Sequence, residues 1–166
     1  MEMRQDDFST ICSRCEIICC KGARPPLSSE RIRIIDENLK RTGSKLDSWY
    51  CREKYNFPKE TSFGCIFLSA EKRCMIQSFK PETCVAGPIT FDVDLKRETI
   101  EFYLKKEQIC PLAGALFRDK SRLRKHLMSA KKEIKNLVSK LSKKDLLAIL
   151  EIEEPDTFKI DEDSLE

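Results

Sequence analysis

Cysteine is the residue type with chemistry to spare in this chain. The run Cys12-Ser-Arg-Cys15-Glu-Ile-Ile-Cys19-Cys20 places four thiols within nine residues. A C-x2-C step lets two thiolates wrap one metal, because the two intervening residues fold into a tight turn. Thiolates are soft ligands that select zinc, copper(I) or iron–sulfur clusters. Cys19 is close enough to complete the same site. Cys20 is its neighbour, and adjacent side chains diverge, which leaves it a different metal or a different edge of a cluster. A second group follows at Cys65, Cys74, Cys84 and Cys110. Its separations are too wide for a local knuckle, so only the fold can unite it. Lys80-Pro81-Glu82-Thr83-Cys84 sets a rigid proline turn before a thiol. Cys110-Pro111 removes the N–H that follows a thiol, a step that also ends the bacterial ferredoxin cysteine run.

Cys51 stands in an aromatic stretch with no partner nearby and reads as a small buried apolar residue. Of nine cysteines, eight therefore remain as candidate ligands. Eight thiols could fill two four-thiolate sites, as two cubane clusters or two zinc ions, or one cluster with thiols left unused. The single histidine, His126, lies on the basic helical stretch and reads as a surface residue. Mixed Cys/His zinc sites and Cys/His nucleophilic catalysis are thereby disfavoured, and all-cysteine ligation is expected.

The redox setting points the same way. The first ten residues, MEMRQDDFST, have no apolar segment resembling a signal peptide. The expected location is a reducing cytoplasm, where structural disulfides rarely persist, and an odd number of cysteines cannot all pair within one chain. No apolar run approaches the roughly 20 residues that span a bilayer. Neither G-x-x-x-x-G-K-[ST] nor G-x-G-x-x-G occurs, so nucleotide binding has no motif support.

The elements that must carry these thiols can be read in part. Ser28 or Ser29 suits a helix N-cap, Ile32, Ile35 and Leu39 give one apolar face, and Gly43 offers a stop, which predicts a helix over 30–41. Residues 44–64 show no clean period. Short strands are expected at 65–68 and 73–79, joined by a turn at 69–72. Ile89, Phe91 and Val93 alternate with polar residues, as do Ile100, Phe102 and Leu104, which predicts a hairpin connected through 95–99. From Leu116 the period changes: Leu123, Leu127, Ala130, Ile134, Leu137 and Leu141 form a 3.5-residue seam on a helix of about 25 residues. Ser142-Lys-Lys-Asp145 resembles a capping box that starts a short second helix through Leu150. The expected fold is α+β: a small loop-rich cysteine-cluster domain with short antiparallel strands and a helix over 1–115, a long C-terminal amphipathic helix packed on it over 116–150, and an acidic tail over 151–166.

Net charge is +3, from 31 Lys and Arg against 28 Asp and Glu, and this hides two opposed blocks. Residues 118–144 hold eleven basic residues against two acids, a net +9, whereas 151–166 hold eight acids and one lysine, a net −7. The basic helix could meet an acidic protein or nucleic acid, or be neutralised in part by the chain's own acidic segment. It lacks the interleaved aromatics of a stacking platform, which places nucleic acid behind a protein or redox partner. A membrane surface is disfavoured because the apolar seam is narrow and has no Trp.

Cys12-x2-Cys15-x3-Cys19-Cys20, then Cys65-Ile-Phe-Leu, Arg73-Cys74-Met-Ile and Lys80-Pro81-x2-Cys84 with Pro88, resembles the zinc- or iron-chelating CxxCxxxCC (YkgJ-type) cysteine-cluster family over about residues 12–90. The family often continues Arg-Pro-x-x-Cys-Arg-x-Phe-Pro, where this chain has Val85 and Gly87 after Cys84. The segment 84–94 together with Ile109-Cys110-Pro111-Leu112 looks like an archaeal branch of the family, which implies Cys110 as a ligand. The resemblance implies metal ligation, often of iron–sulfur clusters, and a distant kinship with flagellin lysine N-methylases. Three functions follow as expectations. The first is a metal-binding protein whose eight thiols hold one or two iron–sulfur clusters, most simply 4Fe-4S, with a redox role. The second is a structural zinc-binding interaction module. The third is a group-transfer enzyme.

Overall fold

In the computed structural model, residues 6–16, 19–154 and 156–165 are described. The first five residues of the leading segment, the Ile17-Ile18 step inside the cysteine motif, Pro155 and Glu166 lie outside them. Cysteine usage changes near residue 115, but the contacts divide the chain elsewhere: one compact unit ends at Pro81 and a second starts at Glu82.

The first unit opens with α1 (Asp6–Arg14), on whose last turn Cys12 sits. Helix α2 (Ser29–Arg41) forms as its signals require. The Ser28 hydroxyl accepts the Arg31 N–H at 3.1 Å, satisfying an otherwise unpaired first-turn donor. Ile35 and Leu39 turn inward, and Gly43 sits at φ 71° just past the end. Two short hairpins follow. β1 (Tyr50–Arg52) pairs antiparallel with β2 (Asn56–Pro58), and β3 (Glu60–Thr61) with β4 (Gly64–Cys65). The strands expected over 65–68 and 73–79 do not form: beyond Cys65 there is one isolated bridge, Leu68 to Cys74, and otherwise turns. Their apolar residues are inward anchors set on turns and not rungs of a ladder. Phe67 and Ile76 are buried with Leu27, Ile35, Leu39 and Trp49. The expected turn at 69–72 is present, with Lys72 N–H donating to the Ser69 carbonyl at 3.0 Å. The Trp49 indole, 5.2 Å from the Phe67 ring, donates to Asp36 at 2.7 Å.

The second unit starts with the short helix α3 (Glu82–Ala86). The hairpin of β5 (Ile89–Asp94) and β6 (Thr99–Lys105) has the register that the alternation predicts: Ile89 faces Leu104, Phe91 faces Phe102 and Val93 faces Ile100. The helical stretch is broken in two. α4 (Pro111–Arg118) ends at Asp119, whose carboxylate then accepts the Arg122 N–H and caps α5 (Lys120–Lys140). The predicted seam faces the core: Ala130, Ile134 and Leu137 are buried, with Leu123, Leu127 and Leu141 packed beside them. Ser142 caps α6 (Lys143–Leu150) by accepting the Asp145 N–H at 3.0 Å.

The acidic segment is a strand and not a tail. β7 (Thr157–Ser164) adds to β6 as the third member of the sheet, in the order β5-β6-β7. The register shifts between Phe102 and Tyr103, so that Asp161 faces Phe102, Lys159 faces Tyr103 and Ile160 is passed over. This bulge turns Asp161 and Asp163 onto the face that carries Phe102 and Ile100. There they meet α5: Lys131 lies 2.7 Å from Asp161 and 2.9 Å from Asp163, and Lys135 lies 3.1 Å from Asp163. The two opposed charge blocks of the sequence therefore meet in part within this unit.

Candidate metal centre

The C-x2-C step closes as the turn its spacing suggests. Cys12 lies in the last turn of α1, which ends at Arg14, and the Cys15 N–H donates to the Cys12 carbonyl at 3.2 Å. Cys12 and Cys19 are exposed, while Cys15 and Cys20 are half-buried. Backbone contacts tie the end of this motif to the second hairpin. The Cys65 N–H donates to the Cys20 carbonyl at 2.8 Å, and the Gly22 N–H donates to the Glu60 carboxylate at 2.7 Å. Gly64 makes the approach possible. Its φ of +130° suits glycine alone, and a Cβ there would stand 3.0 Å from the Cys20 carbonyl oxygen and 3.4 Å from the Lys21 Cα.

Cys65 and Cys74 share a microenvironment. The Cys65 carbonyl accepts the Leu68 N–H at 2.8 Å, and Leu68 bridges Cys74, so the two thiols are near enough for the charge of one to oppose ionisation of the other. Burial is the main influence on both and pushes both thiols above the ordinary range. A hydrogen bond works in the opposite sense at each. The Phe67 N–H donates to the Cys65 sulfur and the Ile76 N–H to the Cys74 sulfur, an i to i+2 arrangement repeated at both positions, and each favours the thiolate. The side chains on these two amides are the buried anchors Phe67 and Ile76, at 1% and 2% exposure. Sequence reading found the thiols and missed the amides, because an apolar run after a cysteine reads as a strand. The signal was there in Cys65-Ile-Phe and Cys74-Met-Ile, each with an apolar residue two places on.

The remaining candidates lie in the second unit. Cys84 is in the middle of α3. Cys110 occupies the N-cap position of α4, with Pro111 at the first helical position; its N–H donates to the Lys106 carbonyl and its carbonyl accepts the Ala113 N–H. Cys51 sits in β1 opposite Phe57, half-buried. His126 departs from the expected surface position. It is half-buried, with Nε2 at 3.0 Å from both the Ala86 and Gly87 carbonyl oxygens.

The donor set fits a soft metal: these are thiols, two of them already holding amide donors on their sulfurs. Among the described residues no three His, Cys, Asp or Glu side chains are gathered into a group that could hold an ion. A family model for CxxCxxCC, described as "Putative zinc- or iron-chelating domain", matches residues 11–111. The chain belongs to this family. The CxxCxxCC match brackets all eight candidate cysteines, and it ends at the first residue of α4. Helix α5 and strand β7 lie beyond the CxxCxxCC match, yet α5 packs against α3 and β7 hydrogen-bonds to β6, both inside it. No curated protein and no solved structure matches the chain. Among the described residues no helix is long and apolar enough to cross a membrane.

Proposed function

We propose that this CxxCxxCC protein holds one or two iron–sulfur clusters, most simply of the 4Fe-4S type, on thiolates drawn from Cys12, Cys15, Cys19, Cys20, Cys65, Cys74, Cys84 and Cys110, and passes electrons to a protein partner in a reducing cytoplasm. What supports the reading is the match of residues 11–111 to a zinc- or iron-chelating domain, joined by the backbone at Phe67 and Ile76, which favours the charged forms of Cys65 and Cys74 against their burial. Both thiols are partly buried, so burial alone would keep them protonated. An N–H aimed at each sulfur lowers the penalty for the charged form, which is the form that binds metal. When bound, a cluster supplies one-electron chemistry, and hydrogen bonds to its sulfurs are among the groups that set its potential. The chain's only histidine has its Nε2 on two backbone carbonyls, in keeping with ligation by cysteine alone.

A structural zinc ion is the second reading. It is favoured by the brevity of the first unit's strands, of two or three residues each, which leave a small core to hold a long loop-rich stretch. The deciding experiment is anaerobic purification followed by iron, zinc and acid-labile sulfide determination with a visible spectrum. Iron and sulfide in equal amounts, lost together in Cys65→Ser and Cys74→Ser, are expected. A colourless protein with stoichiometric zinc and no iron would overturn the cluster reading in favour of the staple.

A further inference from the structure

Helix α3 carries Cys84 and has only five residues, too few to hold helical form on their own. Something else must fix it, and both of its ends are held by α5. At the start, Glu82 is fully buried and accepts from the Asn136 amide, a long hydrogen bond at 3.4 Å. At the end, Ala86 is fully buried, and His126 Nε2 stands 3.0 Å from the carbonyl oxygens of Ala86 and of Gly87. Carbonyl oxygens only accept, so Nε2 carries a proton that both share. The last carbonyls of a helix have no partner within it, and His126 supplies a donor at that place. Cys84 lies midway, two residues from Glu82 and two from Ala86.

We propose that His126, which lies beyond the 11–111 span of the family match, is a positioning residue for the metal ligand Cys84: the C-terminal helix sets where this thiol stands by holding the helix that carries it. The proposal rests on the reading of Cys84 as a ligand. Helix α5 does not depend on His126 for its own packing, because Leu123, Leu127, Ala130 and Ile134 hold it to the core. Loss of the His126 donor should therefore be felt at α3 and little elsewhere. Partners that orient a metal ligand are worth roughly 10- to 100-fold in metal affinity when removed.

The test compares the unaltered full chain, prepared anaerobically, with His126→Leu, His126→Gln and Cys84→Ser. Glutamine keeps a donor nitrogen at the reach of Nε2, whereas leucine keeps the volume and removes the donor. Two measurements are made: amide hydrogen exchange over 83–88 in metal-free protein, and the rate at which loaded protein gives up its metal to a chelator. His126→Leu should exchange about tenfold or more faster over 83–88 with β5 and β6 unchanged, and should release metal about tenfold or more faster. His126→Gln should stay near the unaltered chain in both. Unchanged exchange and release in His126→Leu, or equal loss in His126→Gln, would overturn the positioning role. Should His126→Leu fail to fold, Asn136→Ala probes the other end of α3, and no rise in its exchange over 82–85 would count against the brace. Cys84→Ser separates the two readings. If it holds metal as the unaltered chain does, Cys84 is no ligand and the proposal falls with that assignment. If it loses metal while His126→Leu does not, only the brace fails.

Discussion

The two units answer the same stability problem with different means. In the second, strands of six, seven and eight residues make an antiparallel sheet, and α5 lays its leucine seam against the apolar face. Three strands with an apolar face packed on a helix meet what independent stability of a sheet requires at the least. In the first, α2 and two hairpins of two- and three-residue strands accompany a buried cluster of Leu27, Ile35, Leu39, Trp49, Phe67 and Ile76, with Tyr55 and Phe57 buried as well. Isolated hairpins of that size are marginal in water. The first unit is also where six of the eight candidate thiols lie, along with the amide-to-sulfur bonds. The comparison predicts that ordinary burial stabilises one unit and that metal ligation completes the other.

Metal removal is the most direct way to break that comparison, and the effect should be large, on the order of 10 kcal/mol for a ligation-dependent fold. Trp49 is the chain's only tryptophan and is 1% exposed in the first unit's core, so its emission reports that unit alone. Chelation under reducing conditions should shift Trp49 emission to the red, while amide protection in β5 and β6 persists. Emission that stays blue after complete metal removal would show that the small core suffices without the metal.

A smaller effect, about 1–3 kcal/mol, is expected from Gly64→Ala. The added methyl would stand 3.0 Å from the Cys20 carbonyl oxygen and 3.3 Å from the Leu68 side chain, and φ is +130°. The variant should lose thermal stability in the Trp49 signal and bind metal more weakly, because the Cys20–Cys65 backbone contact must open. Wild-type affinity in this variant would separate that contact from the metal centre.

The smallest effect should come from the second unit's ion pairs, and it should depend on pH. Burial raises the Asp163 carboxyl's pKa, but hydrogen bonds from Lys131 and Lys135 outweigh this and hold it below the ordinary 3.8. Its contribution is therefore present above pH 3.8 and lost as pH falls through the lower folded value. Burial lowers the Lys131 ammonium's pKa, but its bonds to Asp161 and Asp163 raise it above 10.5, so at alkaline pH the contact lasts until that range is passed. Asp163→Asn should lower stability by less than about 1 kcal/mol near neutral pH, since the groups are partly solvated. It should also remove the acid-dependent rise in β7 amide exchange. A rise of the same size in the variant would assign the acid sensitivity to other groups.

How far the sequence could be read depended on how local the cause was. Ser28, Asp145 with Ser142, and the leucine seam act within a few residues of themselves, and their helices formed where expected. The β5–β6 hairpin was legible residue by residue because alternation fixes register when one face is buried. Residues 65–68 and 73–79 misled because an apolar run states that residues are buried and not which backbone form buries them. Strand β7 was hidden by its acids. Counting by twos from Phe158 and Ile160 sends Glu162 inward, and only the bulge against β6 brings Asp161 and Asp163 to the lysines of α5.

The sequence by itself determined the chemistry: thiols in the order and spacing of a metal-chelating family, with one histidine to compete. Ligand type is a property of single residues, and the C-x2-C step spans only three peptide units. Tertiary structure alone decided which amides face the sulfurs of Cys65 and Cys74, that Gly64 lets Cys20 and Cys65 meet, and that His126 ends the helix of Cys84. Each of these joins groups through backbone geometry or across many residues, where no local pattern records the partner.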